Sequence, residues 1–234
     1  MTISSSDIRS VSPALDQHLQ DAVLGDLWKR PALAPRDRSI ITLSALITKN
    51  QTTGLPFYLN LALDNGVKPS EISEIITHLA YYSGWPNAMA AVAVTRDIFK
   101  QRGIDPSSLP AAKVNLLPLD EAAEARRVAA VAQSAGPDFQ ALTHYTTTLL
   151  FHDLWLRPDL APKDRSMVTV SSLIASGQFA QIPFHLNKAM DNGLTREQAS
   201  EILGHLAFYV GWPNAFSALP TMKGVFEQRA GQPG

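Results

Sequence analysis

The chain has 234 residues, of which 45% are hydrophobic and 18% charged, with a formal net charge of −1 and no cysteine. That composition suits a globular protein with a sizeable core, and a near-neutral chain without acidic or basic blocks argues against nucleic acid or an anionic membrane as the partner. The absence of thiols removes disulfides, thiolate catalysis and zinc–thiolate sites.

No apolar run approaches the roughly 18 residues of a spanning helix. The start, MTISSSDIRS, lacks the apolar core of a signal peptide, so a cytoplasmic protein is expected. In chain order, a first helix is expected over about 13–28. A second opens at Pro35, where proline suits the first turn. It carries Ile40, Ile41, Leu43, Ala45, Leu46 and Ile47, apolar nearly all round, which predicts a buried helix. A third, 56–64, closes at Asn65-Gly66, where glycine can take the left-handed conformation. A fourth, 70–83, sets Ile72, Ile75, Ile76 and Leu79 on one face. A fifth opens at Pro86 and runs to about 102. The stretch 103–118 holds Pro106, Pro110 and Pro118 and reads as a linker laid over the surface; an alanine-rich helix follows at 120–133.

The remainder repeats what came before. Residues 155–229 align with 28–102 without a gap, at a constant offset of 127 and with about half the positions identical. The period is that of a duplicated domain, far longer than a solenoid unit. The helices recur, with Asn192-Gly193 closing the third, Thr195 and Gln198 at capping-box spacing in the fourth, and Pro213 opening the fifth. No segment shows strand-like alternation. The expectation is an all-α tandem duplication with repeats at 1–105 and 119–234, a linker at 106–118 and frayed residues at 231–234.

Three segments recur nearly intact: A-P-R-D-R-S at 34–39 with A-P-K-D-R-S at 161–166; P-F-Y-L-N at 56–60 with P-F-H-L-N at 183–187; and H-L-A-Y-Y-S-G-W-P-N-A at 78–88 with H-L-A-F-Y-V-G-W-P-N-A at 205–215. With the D-N-G before each fourth helix, they resemble the carboxymuconolactone decarboxylase family, related to the alkylhydroperoxidase D family, over both 28–102 and 155–229. The resemblance implies an all-helical fold. Single-copy members assemble as rings, commonly hexamers, so a duplicated chain implies a homotrimer with six quasi-equivalent domains. It further implies a decarboxylase without cofactor or bound metal, acting on a small cyclic or lactone carboxylic acid in aromatic catabolism. The parent reaction removes CO2 from γ-carboxymuconolactone to give an enol-lactone. The peroxidase branch carries C-x-x-C, a histidine four residues later and an upstream glutamate. The matching positions here are Gln51 and Gly54, Gln178 and Gln181, with Ser39 and Ser166 near the glutamate position, so a thiol peroxidase is excluded. The family histidine falls on Tyr58 in the first repeat and on His185 in the second.

His185 is therefore the leading catalytic candidate. Histidine can hold or deliver a proton near neutral pH, and decarboxylation leaves an enolate or carbanion to be protonated. The alternative is a ring packed against the other repeat. Tyr58 fits packing or a degenerate pocket. His78 and His205 each follow a glutamate, Glu74 and Glu201, by four residues on one helix face. They are candidates for a general acid, for lining the substrate, or for a structural hydrogen bond; a zinc site would need more ligands. Arg38 and Arg165 can grip a substrate carboxylate, or anchor their helix by pairing with Asp37 and Asp164 or with Glu74 and Glu201. Trp85, Trp212, Tyr82 and Tyr209 flank a sharp turn that opens a helix, and either wall a pocket or pack. The rival functions are isomerisation or lactone hydrolysis by a drifted relative, a metal-dependent enzyme, and a non-catalytic scaffold. One solvent-connected cavity holding His78, His205, His185 and both arginines favours an enzyme; dispersal through dry core favours the scaffold.

Overall fold

The computed structural model describes residues 3–231, which form twelve α-helices and no strand. Of the expected frayed end, only Gly231 falls among them, as the cap of the last helix.

The first repeat comprises α1 (Ser5–Val11), α2 (Pro13–His18), α3 (Pro35–Thr48), α4 (Leu55–Asp64), α5 (Pro69–Tyr82) and α6 (Trp85–Gln101). The helix expected over 13–28 is broken. It widens into a π-turn at Leu19–Leu24, bends at Gly25 and ends in the 3-10 turn Leu27–Lys29. At Gly25 a Cβ would meet the carbonyl oxygens of Asp21 and Gln20 at 2.5 and 2.7 Å, so the chain turns there only on glycine. α1 was not expected from the sequence. It starts on a capping box in which Ser4 and Asp7 satisfy each other's backbone N–H.

α7 (Glu121–Ala135) and α8 (Gln140–Tyr145) lead into the second repeat, which follows with α9 (Pro162–Ser176), α10 (Ile182–Asp191), α11 (Arg196–Val210) and α12 (Trp212–Ala230). Gly84 and Gly211 open α6 and α12 at φ of 93° and 88°, a conformation that strains any other residue. The capping box expected at Thr195 and Gln198 is present, with both bonds at 3.1 Å.

α3 and α9 pack against each other at the centre, almost wholly buried, and join through Thr48 Oγ1–H donating to Ser172 Oγ at 2.9 Å. α5 of the first repeat packs on α9 of the second, and α11 of the second packs on α3 of the first. A single apolar cluster draws on both repeats, from Ile40, Leu43 and Ile75 to Val168, Ile174 and Leu206. The repeats are thus interlocked in space although separate in sequence. The linker is tied down by Arg157, which donates to the carbonyls of Ala111 and Ala112. Among the described residues no helix is long and apolar enough to cross a membrane.

Candidate active site

Because α5 and α11 cross between repeats, the recurring motifs meet as two composite clusters. The first joins Trp28, Arg38, Thr42 and Tyr58 of the first repeat to Glu201, His205 and Tyr209 of the second. Arg38 donates to Glu201 at 2.7 Å and to His205 Nδ1 at 3.2 Å, and His205 Nε2 lies 2.8 Å from Thr42 Oγ1. The second cluster mirrors it with Trp155, Arg165, Thr169 and His185 against Glu74, His78 and Tyr82. There Arg165 donates to Glu74 at 2.9 Å and to His78 Nδ1 at 3.3 Å, and His78 Nε2 lies 2.7 Å from Thr169 Oγ1. Trp28 Nε1–H donates to Tyr209 OH at 2.8 Å, and Trp155 Nε1–H to Tyr82 OH at 2.9 Å.

These contacts fix protonation. A guanidinium has no acceptor, so Nδ1 of each histidine accepts, and the neutral ring carries its proton on Nε2, where it donates to threonine. Burial first, then the adjacent Arg38, pulls the His205 pKa down to about 3; burial and Arg165 push His78 well below its ordinary value. Both rings are fully buried and bonded at both nitrogens. Arg38 and Arg165 are equally buried and committed to Glu201 and Glu74, while Nε of each finds no partner among the described residues. The glutamate and the histidine one turn later, at Glu74 and His78 or Glu201 and His205, are joined through the arginine of the other repeat. Glu201 also receives Arg30 at 2.8 and 3.0 Å, and Glu74 receives Arg157 at 2.9 and 3.1 Å.

The two sites differ where the sequence differs. In the first, Tyr58 stands edge-on to Tyr209 with ring centroids 5.4 Å apart and stacks beside Trp28. It lines a cavity of about 470 Å³ with Leu46, Phe208, Tyr209, His18 and Lys49. In the second, His185 occupies the place of Tyr58. Its ring stacks on Trp155 at 5.9 Å and meets Tyr82 edge-on at 5.3 Å. It is 7% exposed, and its Nδ1 has no hydrogen-bond partner among the described residues. Burial, then the charge of Lys188, lowers its pKa to about 3, so the ring is neutral at pH 7. Lys188, one turn along α10, holds its ammonium 4.8 Å from the centre of the Trp155 ring.

Of the sequence candidates, then, Arg38, His205, Tyr209 and Tyr58 converge on one site, and Arg165, His78, Tyr82 and His185 on the other. They do not share one cavity: both arginines, His78 and His205 are fully buried, a dispersal that favours structural roles for these four and leaves His185 as the candidate for chemistry. Trp85 and Trp212 join neither cluster. They are 57% and 51% exposed at the starts of α6 and α12, edge-on to Tyr81 and Phe208. Among the described residues no three His, Asp or Glu side chains converge as metal ligands.

Sequence reasoning missed Lys188, Thr42 and Thr169, and the pair Arg30 and Arg157. A signal existed for each. Lys188 faces Leu61 across the gapless alignment, a change of charge in an otherwise similar helix; the threonines and arginines are kept in both repeats.

Comparison with known proteins accords with this duplicated plan. The chain is 33% identical over 85 residues to a 4-carboxymuconolactone decarboxylase from Acinetobacter baylyi, covering 36% of this chain and 63% of that protein. It is 36% identical over 72 residues to a nitrosuccinic acid decarboxylase from Metarhizium robertsii, covering 31% of this chain and 50% of that protein. The chain thus spans less than two thirds of the length of either relative. The carboxymuconolactone decarboxylase family matches twice, over 13–97 and 137–223, one match for each repeat, and the chain belongs to that family.

Proposed function

We propose that this protein is a cofactor-independent decarboxylase of a small carboxylic acid, and that its chemistry runs at the second site on His185. The observation that carries the reading is the unpaired Nδ1 of His185 in an aromatic enclosure, in contrast to His78 of the same cluster and His205 of the other, whose nitrogens are all bonded. His78 and His205 keep their Nε2 protons on threonine and serve to hold the clusters together. Arg38 and Arg165 are occupied by glutamate, so they brace α11 and α5.

The named activities of the two relatives suggest the substrate class: a lactone acid or a nitro diacid, in which an electron-withdrawing group can receive the electron pair. The bond to the departing carboxylate breaks, CO2 leaves, and the pair delocalises into the lactone carbonyl or the nitro group. Carbon is then protonated. His185 is neutral beforehand, but the carboxylate that the substrate keeps favours the charged imidazolium. The ring thus gains its proton with the substrate and delivers it to carbon. Trp155 and Tyr82 keep water from the carbanion.

The proposal includes a cytoplasmic homotrimer, the state that the family resemblance implies. Tyr81, Trp85, Met89 and Val92 are exposed along the end of α5 and the outer side of α6, and Phe208, Trp212, Phe216 and Leu219 repeat them on α11 and α12. Such a doubled apolar stripe suits burial between subunits; mass measurement in solution tests it. The activity is tested by CO2 release from 4-carboxymuconolactone and from nitrosuccinate. Wild type is expected to release CO2 from at least one and His185→Ala from neither. No release by wild type, or full release by His185→Ala, contradicts the reading.

A further inference from the structure

If both arginines are spent on glutamate, some other group must hold the substrate's anion. We infer that Lys188 is that group: its ammonium, poised over the Trp155 indole one turn beyond His185, grips the carboxylate that the substrate keeps. The inference rests on the decarboxylase reading above.

Lys188 and His185 are three residues apart on α10 and so share a face; both lie against Trp155. A half-buried ammonium calls for a counter-charge, and the acids around Lys188 are engaged elsewhere. Asp191 pairs with Arg229 at 2.9 Å, and Glu124 with Arg127 and His152. Asp120 caps α7 by accepting from Ala123 N–H at 2.9 Å. Among the described residues Lys188 has no ion-pair partner within 4.0 Å. The indole face compensates the charge only in part. Burial accordingly lowers the Lys188 pKa, against the pull of Asp120, Asp191 and Glu124. The fold itself does not need the charge, because Leu61 occupies the same position in the first repeat.

The chemistry decides which carboxylate the lysine holds. A cation against the departing carboxylate would stabilise the ground state, whose charge is lost in the transition state, and so slow the reaction. A cation on a second, retained carboxylate binds ground and transition states alike. The second site is therefore built for a diacid, with one carboxylate lost and the other held by Lys188 on the face it shares with His185. The first site has Tyr58 and Leu61 at the matching positions, and the His18 and Lys49 that line its cavity come from other segments.

Lys188→Leu, which installs the residue of the first repeat, and Lys188→Arg test this by steady-state kinetics on 4-carboxymuconolactone and by calorimetric binding of succinate, a diacid that does not react. The expected result for Lys188→Leu is a KM raised roughly tenfold to a hundredfold, the loss of one charged hydrogen bond, with kcat within about threefold. Succinate should weaken in proportion, and Lys188→Arg should restore most of both. An unchanged KM in Lys188→Leu, or a fall in kcat alone, overturns the inference. Should wild type release no CO2 from either acid, the decarboxylase reading fails by itself. Lys188 is then judged on succinate: binding lost in Lys188→Leu supports the carboxylate grip, while equal binding or none overturns it.

Discussion

The two composite sites share a frame and differ at its edge. Each has an arginine clamped between a glutamate and a histidine, a threonine on the far ring nitrogen, and a tryptophan donating to a tyrosine hydroxyl. At the edge, one site carries Tyr58 and Leu61, the other His185 and Lys188. Duplication thus provides an internal control. What both sites keep bonds helices across the repeats, and what only one has is where the proposed chemistry is sought. A substitution in the shared frame should therefore act alike on both sites, and one at the edge should act on the second alone.

The largest expected effect is at the edge. Loss of a general acid typically costs about 10²- to 10⁴-fold in rate, so His185→Ala should lower kcat by that much while melting near wild type. Tyr58→Ala should leave kcat within about threefold. Equal losses in both variants would erase the distinction between the sites. Next comes the frame. Arg165→Ala strands the buried carboxylate of Glu74 with Arg157 as its remaining partner, and Arg38→Ala leaves Glu201 to Arg30 alone. Removing one member of a buried pair costs about 3–5 kcal/mol, and both variants should lose stability by similar amounts in denaturant titration.

Acid stability separates the sites more finely. His78, His185 and His205 all have folded-state pKa values below the unfolded value of about 6.5. As pH falls, the unfolded chain takes up protons that the folded one refuses. The stability these rings contribute is fully present above about pH 6.5 and is lost as pH falls below it, down to about pH 3 for His185 and His205. Each contributes a slope of up to about 1.4 kcal/mol per pH unit. His185→Tyr, which makes the second site resemble the first, should reduce the combined histidine slope by roughly a third. The smallest effect is at the tryptophans. Trp28→Phe and Trp155→Phe each remove one hydrogen bond to tyrosine and should cost about 1 kcal/mol apiece.

Much of this was legible in the sequence. Proline at helix starts, Asn-Gly at helix ends and the apolar run from Ile40 to Ile47 located α3 to α6 and α9 to α12 to within about two residues. The repeated motifs picked out the residues of both clusters, because each site demands the same arginine, histidine and tyrosine. The crossing of α5 and α11 was not legible. Spacing along one helix put Glu74 beside His78, but it could not say that the arginine binding both would come from the other repeat. The π-turn at Leu19–Leu24 escaped because its residues keep a helical pattern, and the break depends on backbone crowding around Gly25. Lys188 escaped because it lies outside the recurring motifs, and its place over the Trp155 ring depends on packing that the sequence does not display.

The asymmetry of the two edges is tested most directly by changing each in turn: CO2 release from 4-carboxymuconolactone by His185→Tyr and by Tyr58→Ala, each checked for a native melt. A division of labour in which only the second site reacts predicts that His185→Tyr loses at least about a hundredfold in kcat while Tyr58→Ala stays within about threefold of wild type. Near-wild-type release by a folded His185→Tyr would contradict it.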